Sequence, residues 1–277
     1  MRFAGAILLA ALLAGVAPAQ TQTGAVEFVA RVTPNAGRGE PALQLQFYLL
    51  RKSFAEIRKE AEETEPKPDL EKFVDALEVS PELKAWMKRT RIVKLSGEEF
   101  ARKMTVDDVF EVTEFFEAFI AQNAGDVGFP TAKYTERDRA KNPEKYERLR
   151  KEYREQLRKF AQQNPHVLVG IEIHLTNVDP GQRWARMESE RRQRVRFRGL
   201  QLAQTKYLVA KTETDLEGRA TLVNIPAGDY WLSTLESDAA AGDVRLRWDT
   251  PVKVTAGQVT RLELSNMNAV SPSDAPK

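Results

Sequence analysis

The hydrophobic period of this chain changes twice along its length, and this double change restricts the fold more than any other feature. Residues 25–33 and 43–49 alternate between apolar and polar side chains, as half-buried strands do. Between residues 53 and 165 the apolar residues recur at spacings of three and four, which indicates amphipathic helices. From residue 166 to residue 265 the pattern again favours strands. The sequence therefore predicts an α+β chain in which strands enclose an all-helical segment.

The helical segment carries its own start signals. Ser80 precedes a proline, as an N-cap residue often does, and Thr105 stands three residues before Asp108 in the spacing of a capping box. Asn142 and Pro143 open a further pattern of apolar residues that extends to Phe160. These signals predict several helices rather than one long one.

The flanking segments give the expected strands. Residues 25–33 and 43–49 predict a hairpin with a long loop, and the alternation in VLVGIEIHLT, residues 167–176, predicts a strand. Residues 183–206 fit either a short helix or an irregular strand, and residues 207–214 predict a strand. Because two strands alone do not form a stable sheet, the N-terminal pair is expected to complete a sheet made by the C-terminal half. The helical segment is then an insertion within one β-domain.

The first nineteen residues predict the compartment. Arg2 precedes an apolar run from Ala4 to Val16, and Ala17-Pro18-Ala19 has the small residues of a cleavage site. We therefore expect residues 1–19 to be a signal peptide cleaved near Ala19, and no membrane span after its removal. The chain contains no cysteine, which suits a bacterial periplasmic or secreted protein without disulfides. The predicted boundaries are 20–52 and 166–265 for the β-domain, 53–165 for the insertion and 266–277 for a flexible tail.

The stretch TDLEGRATLVNIPAGDYWLS, residues 214–233, predicts short strands joined by turns. Gly218 is expected to supply a positive φ in the first turn, and Gly228 is expected to be free to adopt a left-handed conformation in the second. The stretch holds no residue with an obvious catalytic role. Short strands with closely spaced turns suggest a β-sandwich.

This stretch resembles the core of the carboxypeptidase regulatory-like domain, a prealbumin-like (transthyretin-like) antiparallel β-sandwich. The residues that match the family pattern are Thr214, Asp215, Gly218, Leu222, Pro226, Gly228, Tyr230 and Leu232. VKVTAGQVTRLELS, residues 252–265, resembles the closing hairpin of the family, and residues 26–50 resemble its opening strands. Ala220, Ile225 and the helical insertion depart from the pattern. The resemblance implies an extracytoplasmic accessory or binding module without catalytic residues of its own.

The sequence predicts no catalytic, cofactor-binding or metal-binding residue and no cofactor. His166 and His174 are the only histidines, and Glu172 shares a predicted strand face with His174, but no third ligand is visible. Neither G-x-S-x-G nor a P-loop is present. Carboxylates such as Asp107 and Asp108 suit helix starts, although a hydrolase acting on envelope polymers through carboxylates between the insertion and the sandwich is an alternative.

The candidate partner-binding residues are arginines and one aromatic residue: Arg191, Arg192, Arg194, Arg196 and Phe115. An arginine cluster can hold an acidic partner surface, but it can also pair with the glutamate-rich insertion. Phe115 and Phe116 are adjacent, so one could be an exposed anchor, although both also fit core packing. Lys plus Arg is 42 against 40 for Asp plus Glu, which gives no indication of nucleic-acid binding.

The sequence thus predicts an exported, non-catalytic binding module of the bacterial envelope that presents its insertion to a protein partner. A carbohydrate-binding or small-ligand-binding protein is a further alternative, which needs a cleft lined by Trp184, Trp231 or Trp248. The oligomeric state is left open.

Overall fold

The elements follow the order that the hydrophobic period predicts: strands, then helices, then strands. The structure is a computed structural model that describes residues 22–270. The strands are β1 Thr23–Val32, β2 Glu40–Pro41, β3 Gln46–Leu50, β4 Leu208–Glu213, β5 Arg219–Pro226, β6 Gly228–Ser233, β7 Ala239–Ala241, β8 Val244–Leu246, β9 Asp249–Val254 and β10 Val259–Leu264. The α-helices are α1 Phe54–Thr64, α2 Leu70–Asp75, α3 Pro81–Thr90, α4 Glu98–Lys103, α5 Val106–Glu111, α6 Thr113–Asn123, α7 Glu136–Lys141, α8 Pro143–Gln163 and α9 Gly181–Thr205. Two 3₁₀ helices, Pro165–Leu168 and Ile171–Leu175, separate α8 from α9.

The chain folds as two compact units. The first, the sandwich unit, takes in the described residues up to Thr64 and those from Val195 onward, and the second, the helical unit, is Glu65–Arg194. The predicted signal peptide, residues 1–19, and residues 271–277 of the predicted tail lie outside the described residues. The fold is therefore of the α+β class, with a helical region between the N-terminal and C-terminal strands.

The sandwich unit contains two open sheets. The first sheet has the order β10-β1-β5, with β2 paired to the end of β1, and the second has the order β4-β3-β6-β9. Strands β1 and β10 pair in parallel, and the other pairs in these sheets are antiparallel. A separate hairpin joins β7 to β8.

The core of the sandwich lies between these two sheets. Alternate residues of β1, including Val26 and Phe28, are buried against residues of β3 such as Phe47. The rings of Phe28 and Phe47 meet edge to face with centroids 4.8 Å apart. Trp248 is fully buried in the same core, and its indole N–H donates to the Ser265 carbonyl over 3.0 Å. The predicted β-sandwich is thus present.

Helix α1 and the last part of α9 cover the outer face of the second sheet. Ile57 of α1 and Val195 of α9 share a small core with Leu50 of β3. A polar cluster joins these elements as well: the Glu60 carboxylate accepts from Lys206 Nζ over 2.7 Å and from the Tyr207 hydroxyl over 2.5 Å. The hydrogen bond from Lys206, followed by that from Tyr207, lowers the pKa of Glu60 to about 2.

The N-terminus of α1 has two caps. Ser53 and Glu56, three residues apart, exchange hydrogen bonds as a capping box. The Asp249 carboxylate, on β9, also accepts from the backbone N–H groups of Phe54, at 2.8 Å, and Ala55, at 3.3 Å. Burial raises the pKa of Asp249, while these hydrogen bonds act in the opposite direction. The cap therefore ties the second sheet to its helical cover.

The helical unit is built around aromatic rings. Trp86, Phe100 and Phe115 are fully buried and meet edge to face, with centroids 5.1 to 5.8 Å apart. Their helices begin where the sequence predicts: Ser80 caps α3, and Thr105 forms a capping box in α5.

The strand predicted at residues 167–176 is wrong, because this segment forms the two 3₁₀ helices. Val167, Ile171 and Leu175 are buried, whereas Val169 and Ile173 are 75% and 66% exposed. Apolar residues at every second position also recur at every fourth, so the same letters satisfy a helical period. Helical structure thus continues forty residues past the predicted boundary, to the end of α9 at Thr205.

Two further predictions are corrected. Strands β1 and β3 do not form a hairpin, because β1 pairs with β2, β5 and β10 while β3 pairs with β4 and β6. The predicted flexible tail is anchored as far as Val270, whose N–H donates to the Arg247 carbonyl over 2.8 Å. Asn266 also exchanges hydrogen bonds with the backbone of Thr33. None of the described helices combines the length and the apolar character needed to cross a membrane.

Candidate functional site

Helix α9 carries most of the residues that the sequence predicts for partner binding, and one of its faces is buried. Val195, Gly199 and Leu202 are buried at spacings of four and three. Gly199 permits a close approach to α1, since a Cβ at this position would lie 3.3 Å from Arg58 Cγ. The opposite side of the helix therefore faces solvent, and Arg192, Arg194, Arg196 and Arg198 are exposed.

The charge of α9 is strongly unbalanced. Its twenty-five residues include seven arginines and two glutamates. Internal ion pairs satisfy a part of this charge: Arg194 pairs with Glu65 at 3.3 Å, and Arg196 pairs with Glu236, whose side chain is largely buried. The alternative that the arginines pair with the glutamate-rich insertion holds for Arg194, whereas the partner of Arg196 lies outside the insertion.

The other predicted arginines differ from one another. Arg191 is half-buried, and its Nε donates to the Glu65 carbonyl at 3.4 Å. Arg192 is exposed and makes no ion pair within residues 22–270. Arg191 thus contributes to the packing of α9, and of the four predicted arginines Arg192 offers the least engaged guanidinium to a partner.

Phe115 is not an exposed anchor, and that prediction is wrong. Its side chain is completely buried between the rings of Trp86 and Phe100. The adjacent Phe116 is half-buried, against the Phe110 ring and under the Arg154 guanidinium. Both phenylalanines therefore serve the core of the helical unit.

The exposed aromatic residue of this region is Phe197, which the sequence analysis did not select. Its side chain is 72% exposed. Arg198 follows it, and Gln201 lies one turn further along the same side of α9; both are exposed and joined by a 2.9 Å hydrogen bond. We call Phe197, Arg198 and Gln201 the Phe197 patch. The local sequence RVRFR gave a signal for it, since Val195 and Phe197 cannot both face inward on a helix.

The carboxylates and the histidine considered as catalytic or metal-binding residues make structural contacts. Asp108 closes the capping box of α5 and pairs with Arg89 at 2.5 Å, and Asp107 pairs with Arg158 at 2.9 Å. His174 Nε2 lies 3.1 Å from the Gln122 amide oxygen. Within residues 22–270, no three histidine or carboxylate side chains are grouped so that they could hold a metal ion.

The three tryptophans considered for a ligand cleft belong to three different hydrophobic clusters. Trp248 is buried between the sheets, and Trp231 is half-buried on the outer side of the second sheet. Trp184 belongs to the helical unit, where its ring lies tilted against that of Phe73 with centroids 5.1 Å apart. The hydrolase and ligand-binding alternatives stay predictions.

The residues of the family-like stretch hold the turns of the sandwich. The Thr214 hydroxyl donates to the Ala42 carbonyl over 2.5 Å and accepts from the Leu45 N–H over 2.9 Å. Asp215 Oδ1 accepts from the Arg219 N–H over 2.7 Å, and the Tyr230 hydroxyl donates to the Pro226 carbonyl over 2.9 Å. This stretch is scaffold, as its sequence predicts.

The fold defines the class of protein: an α+β chain with a two-sheet β-sandwich interrupted by a helical insertion. No protein-family model and no curated protein matches it. A proposed carbohydrate-binding protein from Pseudomonas aeruginosa is 10% identical over 89% of this chain and 90% of its own, with a TM-score of 0.27. The pilus backbone protein RrgB of Streptococcus pneumoniae is 13% identical over 88% of this chain, with a TM-score of 0.23, and only 41% of that protein is spanned. Scores this low do not establish a common fold, so neither function extends to this chain.

Proposed function

We propose that this protein is an exported, non-catalytic binding module of the bacterial envelope and that the Phe197 patch docks an acidic protein partner. The observation that carries the proposal is the exposure of Phe197 beside arginines on a helix whose opposite side is buried. The sandwich unit supplies a rigid base for this helix through Leu50, Ile57 and the Glu60 cluster.

The chemistry of the patch suits a protein surface. Aromatic residues and arginine are enriched in the centres of protein interfaces, where they account for much of the binding energy. Burying the Phe197 side chain would contribute about 2 kcal/mol from the hydrophobic effect. Arg198 makes no ion pair within the described residues, so its guanidinium is available to a carboxylate, which it can bind in a bidentate manner. The partner is therefore expected to present a small apolar pocket rimmed by Asp or Glu.

The family and the compartment belong to the same proposal. The turn contacts of Thr214, Asp215 and Tyr230 support placing the sandwich in the carboxypeptidase regulatory-like class. Export rests on the predicted signal peptide at residues 1–19, and the lack of cysteine is compatible with it. Binding at the patch needs no cofactor.

Site-specific photocrosslinking in the native bacterium tests the docking surface. A benzophenone amino acid at Gln201 is expected to capture one protein, in cells and again with the purified components. The double variant F197A/R198E should lose this product, and the purified complex should weaken as salt is raised. The matched control is L216A/R245E, which changes an exposed apolar residue and an exposed arginine elsewhere in the sandwich unit.

The outcomes separate clearly. A partner lost with F197A/R198E, kept with L216A/R245E and carrying an acidic surface supports the proposal. A product that persists in F197A/R198E, or no product at all from Gln201, would overturn docking at the patch. Circular dichroism of both variants checks the fold, which exposed substitutions should leave within about 0.5 kcal/mol of the parent.

A further inference from the structure

The first sheet of the sandwich unit has one face without a helical cover inside its unit. Helices α1 and α9 cover the second sheet, whereas the outward residues of β5, β1 and β10 are exposed or half-buried. We call these outward residues the open face. Apolar side chains lie at one end of it: Val223 is 63% exposed and Val259 is 47% exposed, on either side of Ala25.

Charged residues occupy the rest of the open face in a regular arrangement. Val29, in the central strand, pairs in register with Arg219 on one side and with Glu263 on the other. Neither of these charged side chains makes an ion pair within the described residues. Glu27, two residues earlier, accepts a hydrogen bond from Arg261 Nε of β10 over 3.1 Å. A shallow depression of about 300 Å³ lies over this region.

The positions of these residues are self-complementary. A two-fold axis along β1 would bring β5 of one copy opposite β10 of a second copy, as in an isologous dimer. Arg219 would then lie opposite Glu263 of the other copy, and the reverse pair would form at the same time. Val223 would lie opposite Val259 in the same way, and Val29 would face itself on the axis. Arg219, Glu263 and the two exposed valines of the face thus each meet a suitable group, while Arg31, which also lies on β1, would face itself near the axis.

We propose that two copies of this chain associate face to face through their open faces, with the two-fold axis along β1. Aligned sheets pack about 10 Å apart with their strands within about 30° of each other. The Glu27 carboxylates of the two copies would face each other on the axis, each already paired with Arg261 of its own chain. Because the charges alternate, the face favours a second copy over a partner of uniform charge.

The size of the face sets the strength of the association. Three strands about 4.8 Å apart and about 20 Å long give a patch well below the roughly 800 Å² per partner of a stable complex. The dimer is therefore a weak one that forms only at high protein concentration. It does not involve the Phe197 patch, and F197A/R198E leaves it unchanged.

Sedimentation velocity on residues 20–277, from about 5 to about 500 µM, tests the dimer. The wild-type protein is expected to move from monomer to dimer across this range. R219E and E263R should each weaken the dimer by at least about tenfold, because each substitution places two like-charged pairs in the interface. The double variant R219E/E263R restores opposite charges and should return the dissociation constant to within about threefold of wild type. R245E and E217R, exposed residues outside the open face, serve as controls.

Crosslinking tests the position of the axis. The chain has no cysteine, so single cysteines report on one position each. V29C should be joined into a covalent dimer by a short bismaleimide, since the two thiols face each other across the axis. V223C, on the same face, should react far more slowly with itself because it lies opposite Val259. Either reaction should slow when R219E is added.

Each result decides the proposal. Restoration by R219E/E263R together with self-crosslinking at residue 29 establishes the dimer. A wild-type protein that stays monomeric at about 500 µM, a dimer insensitive to the charge substitutions, or faster crosslinking at V223C than at V29C would overturn it. Loss of protein capture in the native bacterium by R219E, without a wild-type dimer, would instead assign the face to a different protein.

Discussion

At the scale of single residues, the backbone conformation at a turn restricts which residue type can occupy it. Gly218 has a φ of +74°, and a Cβ there would lie 2.5 Å from the Ala30 carbonyl oxygen. The sequence predicted this positive φ from the turn pattern. The sequence also predicted that Gly228 could adopt a left-handed conformation, but near this turn the positive φ belongs to Asn224, at +58°. Asparagine tolerates the left-handed region of backbone space better than most residues. Asn224 was not predicted to adopt it because it lies within a strand.

We expect G218A to destabilise the sandwich unit strongly. The left-handed backbone alone costs roughly 1 to 2 kcal/mol for a residue with a Cβ, and the contact with the Ala30 carbonyl adds to this because backbone atoms cannot move aside easily. Gly257 is the matched control, since its φ is +69° and a Cβ there would meet open space. The unfolding temperature should therefore fall by several degrees more for G218A than for G257A. Equal losses would show that the close approach to Ala30 does not matter.

At the scale of secondary-structure elements, remote residues decide how α1 is held. The Ser53–Glu56 capping box is visible in the sequence, because its residues are three apart. Asp249 is 195 residues away from Phe54, and no local pattern could assign it to the same helix. The same limit explains residues 167–176, where a local alternation fits two periods and only the surrounding core selects the helical one.

Removal of the remote cap is predicted to weaken the helical cover of the second sheet. D249A should cost about 1 to 2 kcal/mol, because the N–H groups of Phe54 and Ala55 lose their acceptor. D249N keeps an acceptor oxygen and should cost less. Chemical denaturation followed by the fluorescence of the buried tryptophans gives both values. D229A, an exposed aspartate on β6, is the control, and a loss equal to that of D249A would argue against the cap.

The Glu60 cluster predicts a pH dependence for the same elements. The folded protein holds the pKa of Glu60 at about 2, below the ordinary 4.5. A lowered pKa means that the contribution to stability is fully present above about pH 4.5 and is lost as the pH falls towards 2. The unfolding temperature of wild type should therefore fall more steeply across this range than that of E60Q. E63Q, an exposed position on α1, should follow wild type, and parallel curves for E60Q and wild type would contradict the assignment.

At the scale of the whole molecule, the insertion is a greatly enlarged hairpin connection. It leaves after β3 and returns before β4, and these strands are antiparallel neighbours. The helical unit also begins and ends in one place, since Glu65 and Arg194 form an ion pair at 3.3 Å. The hydrophobic period predicted a helical region between the strands, but the helices continue to Thr205. Phe197 was missed for a similar reason. Residues 183–206 were not assigned to a helix, so the exposed side of that helix could not be identified.

This topology predicts that the sandwich unit folds without the helical unit. Replacing residues 65–194 with six residues of Gly and Ser, which span about 14 Å, should leave a weakly dimeric β-rich protein with Trp248 buried. Circular dichroism and tryptophan fluorescence measure both properties. A fluorescence maximum typical of an exposed indole would show that the sandwich depends on its insertion. The same protein should still dimerise through the open face, which the deletion does not touch.

The parallel pairing of β1 with β10 also has a mechanical consequence. The described chain enters through the start of β1 and leaves beyond the end of β10. Tension between the two ends would slide these strands past each other, and the evenly spaced bonds of their six registered pairs would be loaded together rather than one after another. The insertion connects β3 to β4 and is not part of the β1–β10 pair that bears the tension. The sandwich can therefore resist tension between its ends through β1 and β10, without loading the helical insertion.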